Sequence, residues 1–307
     1  MNKRLFVDFL AVRRRTLRCL VTLLVAGVAG VAANAQAGTA QENKGGPNLT
    51  VTYIAHAGFL FAAGDQKILA DALTETSAQW KFAAPSVALR QKMEQGEAPF
   101  DNVSLVLISH NHIDHHWPPS TVRFLLLNPK AVVVTTPEVR DQMKKDSPEF
   151  EKIQSRVIVP ELEWKQSTSR EINGIRLDIA RLKHGDDKEW ASIVYAFLFD
   201  LGGKKVLYAP GTTGYFPEEY RALGYAKLGI DLAFLNFDLM IQRGSDGGPT
   251  LNSAGIQQVR ELINPRIPLM MHIRPDRLPF VEEVLPELQK QLPSVTLFRQ
   301  ELESRTF

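Results

Sequence analysis

The chain has 307 residues, of which 44% are apolar and 23% charged, with 36 basic and 34 acidic side chains. These are globular fractions and exclude a mostly disordered, collagenous or coiled-coil protein; the length suffices for one sizeable core and at most two domains. Cys19 is the single cysteine, which excludes a disulfide framework and a cysteine-rich metal site.

Residues 1–35 carry Lys3, Arg4, Arg13, Arg14, Arg15 and Arg18 against one acid, Asp8, followed by an apolar run from Leu20 to Ala33 and the small-x-small end Ala33-Asn34-Ala35. A basic stretch, a short apolar stretch and such a site read as an export signal, and the apolar run is short for a bilayer span of about 20 residues. Arg14-Arg15 resembles a twin-arginine signal only weakly, because Arg13 precedes it. Without residues 1–35 the remaining 272 residues hold 30 basic and 33 acidic side chains, a net charge of −3. That balance offers no electrostatic reason to bind nucleic acid. The expectation is a periplasmic or secreted protein, with no stable membrane span once the signal is removed. A polar, glycine-rich leader over 36–48 is expected to precede a folded domain over 49–307.

From Leu49 onward, Leu49–Ala55, Gly58–Ala62 and Lys67–Asp71 read as consecutive strands, with Gly64-Asp65 as a turn. A helix is predicted over Ser86–Gln95, stopped by Gly96 and Pro99. An apolar strand, Val103–Ile108, precedes a helix opened by Pro118-Pro119-Ser120. A strand at Ala131–Thr135 and a helix from about Pro137 to Lys145 follow. A second half is predicted to open at Arg156–Val159 and to continue with strands at Ile175–Leu182, Ile193–Asp200, Lys205–Ala209, Asp231–Asn236 and Ile267–Met271. Asn252 is placed to cap a helix running to about Ile263. A last helix, Val281–Gln291, precedes a strand at Val295–Phe298. Two β-rich blocks, each followed by helices, predict two packed sheets with helices outside.

The strongest chemical signal is Ser109-His110-Asn111-His112-Ile113-Asp114-His115-His116, directly after a predicted strand; four of the seven histidines fall in these eight residues. A loop at a strand end holds side chains rigidly yet leaves them accessible. Imidazoles with a carboxylate are a ligand set for zinc or a similar divalent metal. His184 and His272 also follow predicted strands, although a lone histidine in either place is more often structural.

His110-x-His112-x-Asp114-His115 matches the HxHxDH motif of the metallo-β-lactamase superfamily. The similarity extends to Thr52–Leu60, Lys67–Asp71, His184, Val206–Gly211 and Pro268–His272, or roughly residues 49–300. It resembles most the branch of ascorbate-phosphate lactonases and N-acylphosphatidylethanolamine phospholipase D. The resemblance implies a four-layer αββα sandwich of the α/β class. It also implies a first metal held by His110, His112 and His184, and a second held by Asp114, His115 and His272. Asp71 would orient the histidine loop from behind; His56 and His116 match no ligand position, and their roles stay open.

One departure stands out. The family's aspartate that bridges both metals falls at position 212, which is threonine here. Two dications about 3.5–4 Å apart repel, and a bridging anion offsets much of that. A weaker second site is therefore expected, with one or two zinc ions and with manganese or iron as alternatives; Asp186 or Asp187 could compensate. A bound dication lowers the pKa of its water from 15.7 toward about 7, and the hydroxide so formed attacks a carbonyl or phosphoryl centre. Asp114 is the expected catalytic group, orienting the water or moving a proton. The sequence thus reads as an exported metal-dependent hydrolase of an ester, lactone, amide or phosphodiester in a small molecule or lipid. The alternative is a catalytically weak metal-binding protein on the same scaffold. Trp80, Phe82 and the loop 242–248 could border the site and Arg274 could meet an anionic substrate group, although a surface loop and a solvated arginine are the commoner readings of such residues.

Overall fold

Alternation of apolar residues decides the layers. In the computed structural model, which describes residues 47–75, 81–185, 192–211 and 216–307, strand after strand sends odd positions one way and even positions the other. In chain order, β1 (Thr50–Ala55), β2 (Gly58–Ala63) and β3 (Gln66–Ala70) form a meander. Then α1 (Val87–Gln95) precedes β4 (Leu105–Leu107), α2 (Pro118–Leu127) precedes β5 (Val132–Val134), and α3 (Pro137–Asp146) precedes β6 (Val157–Ile158). A second antiparallel run follows: β7 (Ser167–Ile172), β8 (Ile175–Lys183), β9 (Ile193–Leu201) and β10 (Lys204–Ala209). After α4 (Pro217–Leu223) and β11 (Leu232–Asn236) come a hairpin of β12 (Ile241–Arg243) and β13 (Pro249–Leu251), then α5 (Ser253–Gln258). The chain ends with β14 (Ile267–Met271), α6 (Leu278–Gln291), β15 (Thr296–Leu297) and β16 (Ser304–Thr306).

Two seven-stranded sheets result, in the orders β16-β1-β2-β3-β4-β5-β6 and β15-β14-β11-β10-β9-β8-β7. Phe59 and Phe61 of β2, Phe197 and Phe199 of β9, Tyr208 of β10 and Phe234 of β11 fill the space between them. Phe61 packs edge-on against Phe199 and Phe234 at ring separations of 5.2 and 5.0 Å, a favoured aromatic geometry. Their strand neighbours point outward. Leu60, Leu69 and Val106 meet Leu89, Val122 and Val139 of α1, α2 and α3, while Leu207, Ala233 and Met270 meet Tyr220, Ile256 and Leu285 of α4, α5 and α6. This is the αββα sandwich, of the α/β class. All described residues lie in the unit Lys44–Phe307. The signal expected over 1–35 and all but the last two residues of the expected leader lie outside the described residues. No described helix is long and apolar enough to cross a membrane.

Local signals set the element ends. Ser86 Oγ accepts from Leu89 N at 3.2 Å to open α1, and Gly96 closes it in the left-handed conformation, φ 65°. Asn252 Oδ1 accepts from Gly255 N at 3.2 Å to open α5. The helix then widens into a π turn over Val259–Ile263.

The division into two sequence halves needs correction at both boundaries. The strand read as opening the second half, Arg156–Val159, forms over Val157–Ile158, pairs in parallel with β5 and belongs to the first sheet. The C-terminal β16 returns to that same sheet beside β1. Parallel pairing and a strand returning from the far end are long-range events with no local signature. Ser167–Ile172, a polar edge strand, was not anticipated, because its exposed face carries Ser, Arg and Glu rather than apolar residues.

Strand direction places the functional edge. β1, β3 and β4 run the same way in the first sheet, as do β8, β10, β11 and β14 in the second. Within each sheet their C-terminal ends therefore lie along one edge. Truncation of Phe61 to alanine is expected to cost about 3–5 kcal/mol of stability, read as a lowered urea midpoint. A loss under about 1 kcal/mol would contradict its placement between the sheets.

Candidate metal centre

Each candidate ligand stands just past a strand. His56 follows β1, Asp71 follows β3, His110 lies three residues after β4, His184 follows β8 and His272 follows β14. His56, Asp71 and His272 all adopt left-handed backbone, with φ of 50°, 42° and 66°. Non-glycine residues adopt that conformation at a cost, and here it turns each side chain off its strand. His272 N donates to His56 O at 3.2 Å, joining the two sheets at the site.

Asp71 organises the arrangement from beneath. Its fully buried carboxylate accepts from Ser109 N at 2.8 Å, Ser109 Oγ at 2.6 Å, His115 Nδ1 at 2.8 Å and Tyr208 Oη at 2.8 Å. Ser109 Oγ, having donated its proton to Asp71, accepts from His110 Nδ1 at 2.9 Å. Both His110 and His115 are thereby held with a proton on Nδ1 and with Nε2 turned toward His112 and His272. Burial and the neighbouring Asp71 push the Tyr208 hydroxyl well above its usual pKa, so it remains a donor.

Two clusters of donor atoms result. One atom from each of His110, His112 and His184 lies within 4.8 Å of the other two, and His110 Nε2 is 3.1 Å from His112 Nδ1. One atom from each of His56, Asp114 and His272 forms a second such cluster. Asp114 Oδ2 is 3.1 Å from both His56 Nε2 and His272 Nε2. His115 Nε2 joins it, 3.2 Å from His272 Nε2 and 3.8 Å from Asp114 Oδ2. A tetrahedral ion with bonds of about 2.0–2.1 Å separates its ligand atoms by about 3.3 Å, so both clusters have the spacing of coordination spheres. Six imidazoles and a carboxylate without thiolate suit zinc, manganese or iron.

Charge state agrees with that fit. Burial lowers His56 and His184 to about 3 and His112 to about 4, with neighbouring imidazoles adding to it, and puts His110 well below its usual value. These rings are neutral at pH 7, the form that ligates. His115 moves up: burial opposes its charge, but the Asp114 and Asp71 carboxylates outweigh it. Burial likewise opposes ionisation of Asp114, and His115, His272 and His56 together hold its carboxyl far below the usual range.

The metal-loop residues named by the sequence meet here. His110, His112 and His184 converge, as do Asp114, His115 and His272. His116 points elsewhere: its Nε2 lies 3.1 Å from Asn111 Oδ1, and burial lowers it to about 4. His56, which matched no motif position, stands beside Asp114; its place directly after β1 was the one available signal. Thr212, Asp186, Asp187 and Trp80 lie outside the described residues. A Cβ at Gly211 would stand 2.7 Å from Val194 Cγ1 and 3.2 Å from His110 Nδ1, so glycine lets this turn pack against a ligand.

A cavity of about 600 Å³ opens above both clusters. Ile113, Phe82, Phe237 and Phe280 give it apolar walls, and Arg243 and Arg277 lie within 5.8 and 5.4 Å of the Phe280 ring. Arg274 also lines it, but its guanidinium is paired with Asp276 at 2.9 and 2.6 Å. Sequence reading missed Phe237, Arg277 and Phe280, which nothing local distinguishes from surface residues.

The family model of the beta-lactamase superfamily domain matches residues 66–273. The chain belongs to the metallo-β-lactamase superfamily. Among solved structures, a possible metal-dependent hydrolase of Veillonella parvula is 13% identical with a TM-score of 0.56, covering 85% of this chain and 100% of that one. The metallo hydrolase Igni18 of Ignicoccus hospitalis is 16% identical with a TM-score of 0.51, covering 85% and 98%. The metallo-beta-lactamase fold protein YhfI of Bacillus subtilis is 15% identical with a TM-score of 0.52, covering 84% and 99%. At these identities the likeness is one of fold. No curated protein matches the chain.

Asp71→Asn is expected to lower metal affinity about 10–100-fold and stability by at least about 2 kcal/mol, read by metal titration and denaturation. Unchanged affinity would remove its organising role. A second expectation concerns the metal-free protein. His56, His110, His112, His116 and His184 are lowered in the fold, so between pH 6.5 and about 4 the unfolded chain binds more protons. Their contribution is complete above pH 6.5 and is lost as pH falls, by about 1 kcal/mol per pH unit for each fully buried ring. His115 and the carboxyls of Glu219, Glu138 and Asp238 move the other way and oppose this. Denaturation midpoints at pH 7.5 and pH 5 should fall toward acid; a flat profile would refute the burial of neutral imidazoles.

Proposed function

We propose that the chain is an exported metal-dependent hydrolase acting on an ester, lactone, amide or phosphodiester bond of a small molecule or lipid. The convergence of two clusters of imidazoles, one of them around Asp114, at the floor of an open cavity carries this reading. Superfamily membership supports the hydrolytic class, and the resemblance over roughly residues 49–300 supports a place near the ascorbate-phosphate lactonase and N-acylphosphatidylethanolamine phospholipase D branch. The basic and apolar N-terminus supports export to the periplasm or beyond.

His110, His112 and His184 would hold one divalent ion, and Asp114, His115 and His272 another. Zinc is the proposed metal, with manganese and iron fitting the same donors. Such an ion supplies an activated water near neutral pH and polarises the scissile carbonyl or phosphoryl group. The chain's own residues do the rest. Asp71 fixes the ring tautomers through Ser109 and His115. Asp114 stays ionised and offers a carboxylate oxygen at the cavity floor, where it can orient a water or accept its proton. Ile113, Phe82 and Phe280 exclude solvent from an apolar substrate portion, and Arg243 and Arg277 attract negative charge to the mouth.

Threonine at position 212 favours a second reading, a metal-binding protein with little catalysis. A panel of esters, lactones and phosphodiesters on the metal-loaded protein decides between them. The hydrolase reading expects turnover of at least one class, and His112→Ala should lower kcat/KM at least about 100-fold. Metal retention without turnover of any class would establish the second reading. Activity surviving His112→Ala at full level would refute the site.

A further inference from the structure

His56 belongs to neither ligand set implied by the superfamily motif, yet its Nε2 lies 3.1 Å from Asp114 Oδ2. The ring is almost fully buried, 4.1 Å from the His272 ring and 5.7 Å from Phe82. Two roles fit that distance. His56 could offer a lone pair to the second ion, or it could donate a proton to Asp114.

The far side of the ring separates them. Where an imidazole of this site presents one nitrogen to an ion, the other is held: His115 Nδ1 by Asp71, His110 Nδ1 by Ser109, and His112 Nε2 lies 3.3 Å from Ser192 Oγ. The Nδ1 of His56 is buried with no hydrogen-bond partner. Ligation through Nε2 would place the proton on Nδ1 as a buried donor with nothing to accept it, the costly arrangement. With the proton on Nε2, Nδ1 keeps a buried lone pair in place of an orphaned donor, and the N–H meets a carboxylate.

We propose that His56 is a positioning residue that donates Nε2–H to Asp114 Oδ2 and fixes that carboxylate toward the second ion, without ligating the ion itself. The proposal rests on the two-ion reading above. Its importance in this chain follows from position 212: with threonine there, Asp114 is the carboxylate gathered at the second cluster, while Asp71 is committed to Ser109, His115 and Tyr208. Coordinating carboxylates held by a hydrogen bond keep their orientation, and loss of such a bond weakens metal affinity about 10–100-fold. His56 also carries the carbonyl that accepts from His272 N. One residue thus sets the side chain of one ligand and the backbone of another.

Cobalt titration of the metal-free full-length protein tests this, followed by calorimetry and visible absorption, with X-ray absorption counting imidazoles per ion. The variants are His56→Ala, which removes the donor, and His56→Gln, whose amide can restore it. Expected are an unchanged first equivalent in all three proteins, a second equivalent weakened about 10–100-fold in His56→Ala, and partial recovery in His56→Gln. The imidazole count at the second ion should be the same in wild type and His56→Gln. The first equivalent serves as the check that each variant folds. A count lower by one in His56→Gln would make His56 a ligand and overturn the proposal, as would a second equivalent in His56→Ala bound as tightly as in wild type. A wild-type protein holding one ion would overturn the proposal but leave the first cluster intact, whereas one holding none would overturn the metal reading beneath it.

Discussion

A single buried carboxylate organises this site. Asp71 stands at the end of β3 with four hydrogen bonds converging on it, from Ser109 backbone and side chain, His115 and Tyr208. A carboxylate away from water is tolerable only when its oxygens are satisfied, and here every partner belongs to the candidate site or packs beneath it. Tyr208 reaches it from the opposite sheet, Ser109 relays to His110, and His115 is gripped directly. The same bonds that make Asp71 affordable in the core therefore set which nitrogen of two imidazoles faces the other donors of the site. Folding and ligand presentation are one constraint, because the carboxylate cannot be satisfied unless both sheets are packed and the histidine loop is closed over it.

The sandwich supplies the rigidity this requires. Phe59, Phe61, Phe199 and Phe234 interlock between the sheets, and close-packed aromatic layers resist small displacements. The ligands are carried just beyond strands rather than on long excursions, so their backbone positions inherit that rigidity. The left-handed conformations of His56, Asp71 and His272 are the local cost of turning side chains off the strands. The cavity walls come from elsewhere, from the histidine loop, the β12–β13 hairpin and the start of α6. Such walls lie outside the packed core, and one fold can host many reactions for that reason.

Much of this was legible in the chain itself. The alternation of apolar residues at β2, β9 and β10 reports two buried faces, since successive side chains of a strand point oppositely. Ser86 and Asn252 mark helix starts because their side chains satisfy backbone donors only a few residues away. The run His110–His115 announces metal chemistry because close spacing alone puts several imidazoles within reach of one point. Such signals are local, and local geometry follows from a few neighbouring residues.

Tertiary structure decided what depends on segments far apart. Val157–Ile158 and Ser304–Thr306 joined the first sheet through pairings with β5 and β1, and a short strand carries no mark of which sheet will accept it. The link from Tyr208 to Asp71 spans 137 positions, and that from His56 to Asp114 spans 58; neither has a periodicity to betray it. The sequence alone determined the donor types of the candidate site and the strands that carry them, because these depend on residue chemistry and near neighbours. Packing of the sheets decided which of those groups face one another, because a contact across the sandwich exists only once two distant segments share a register.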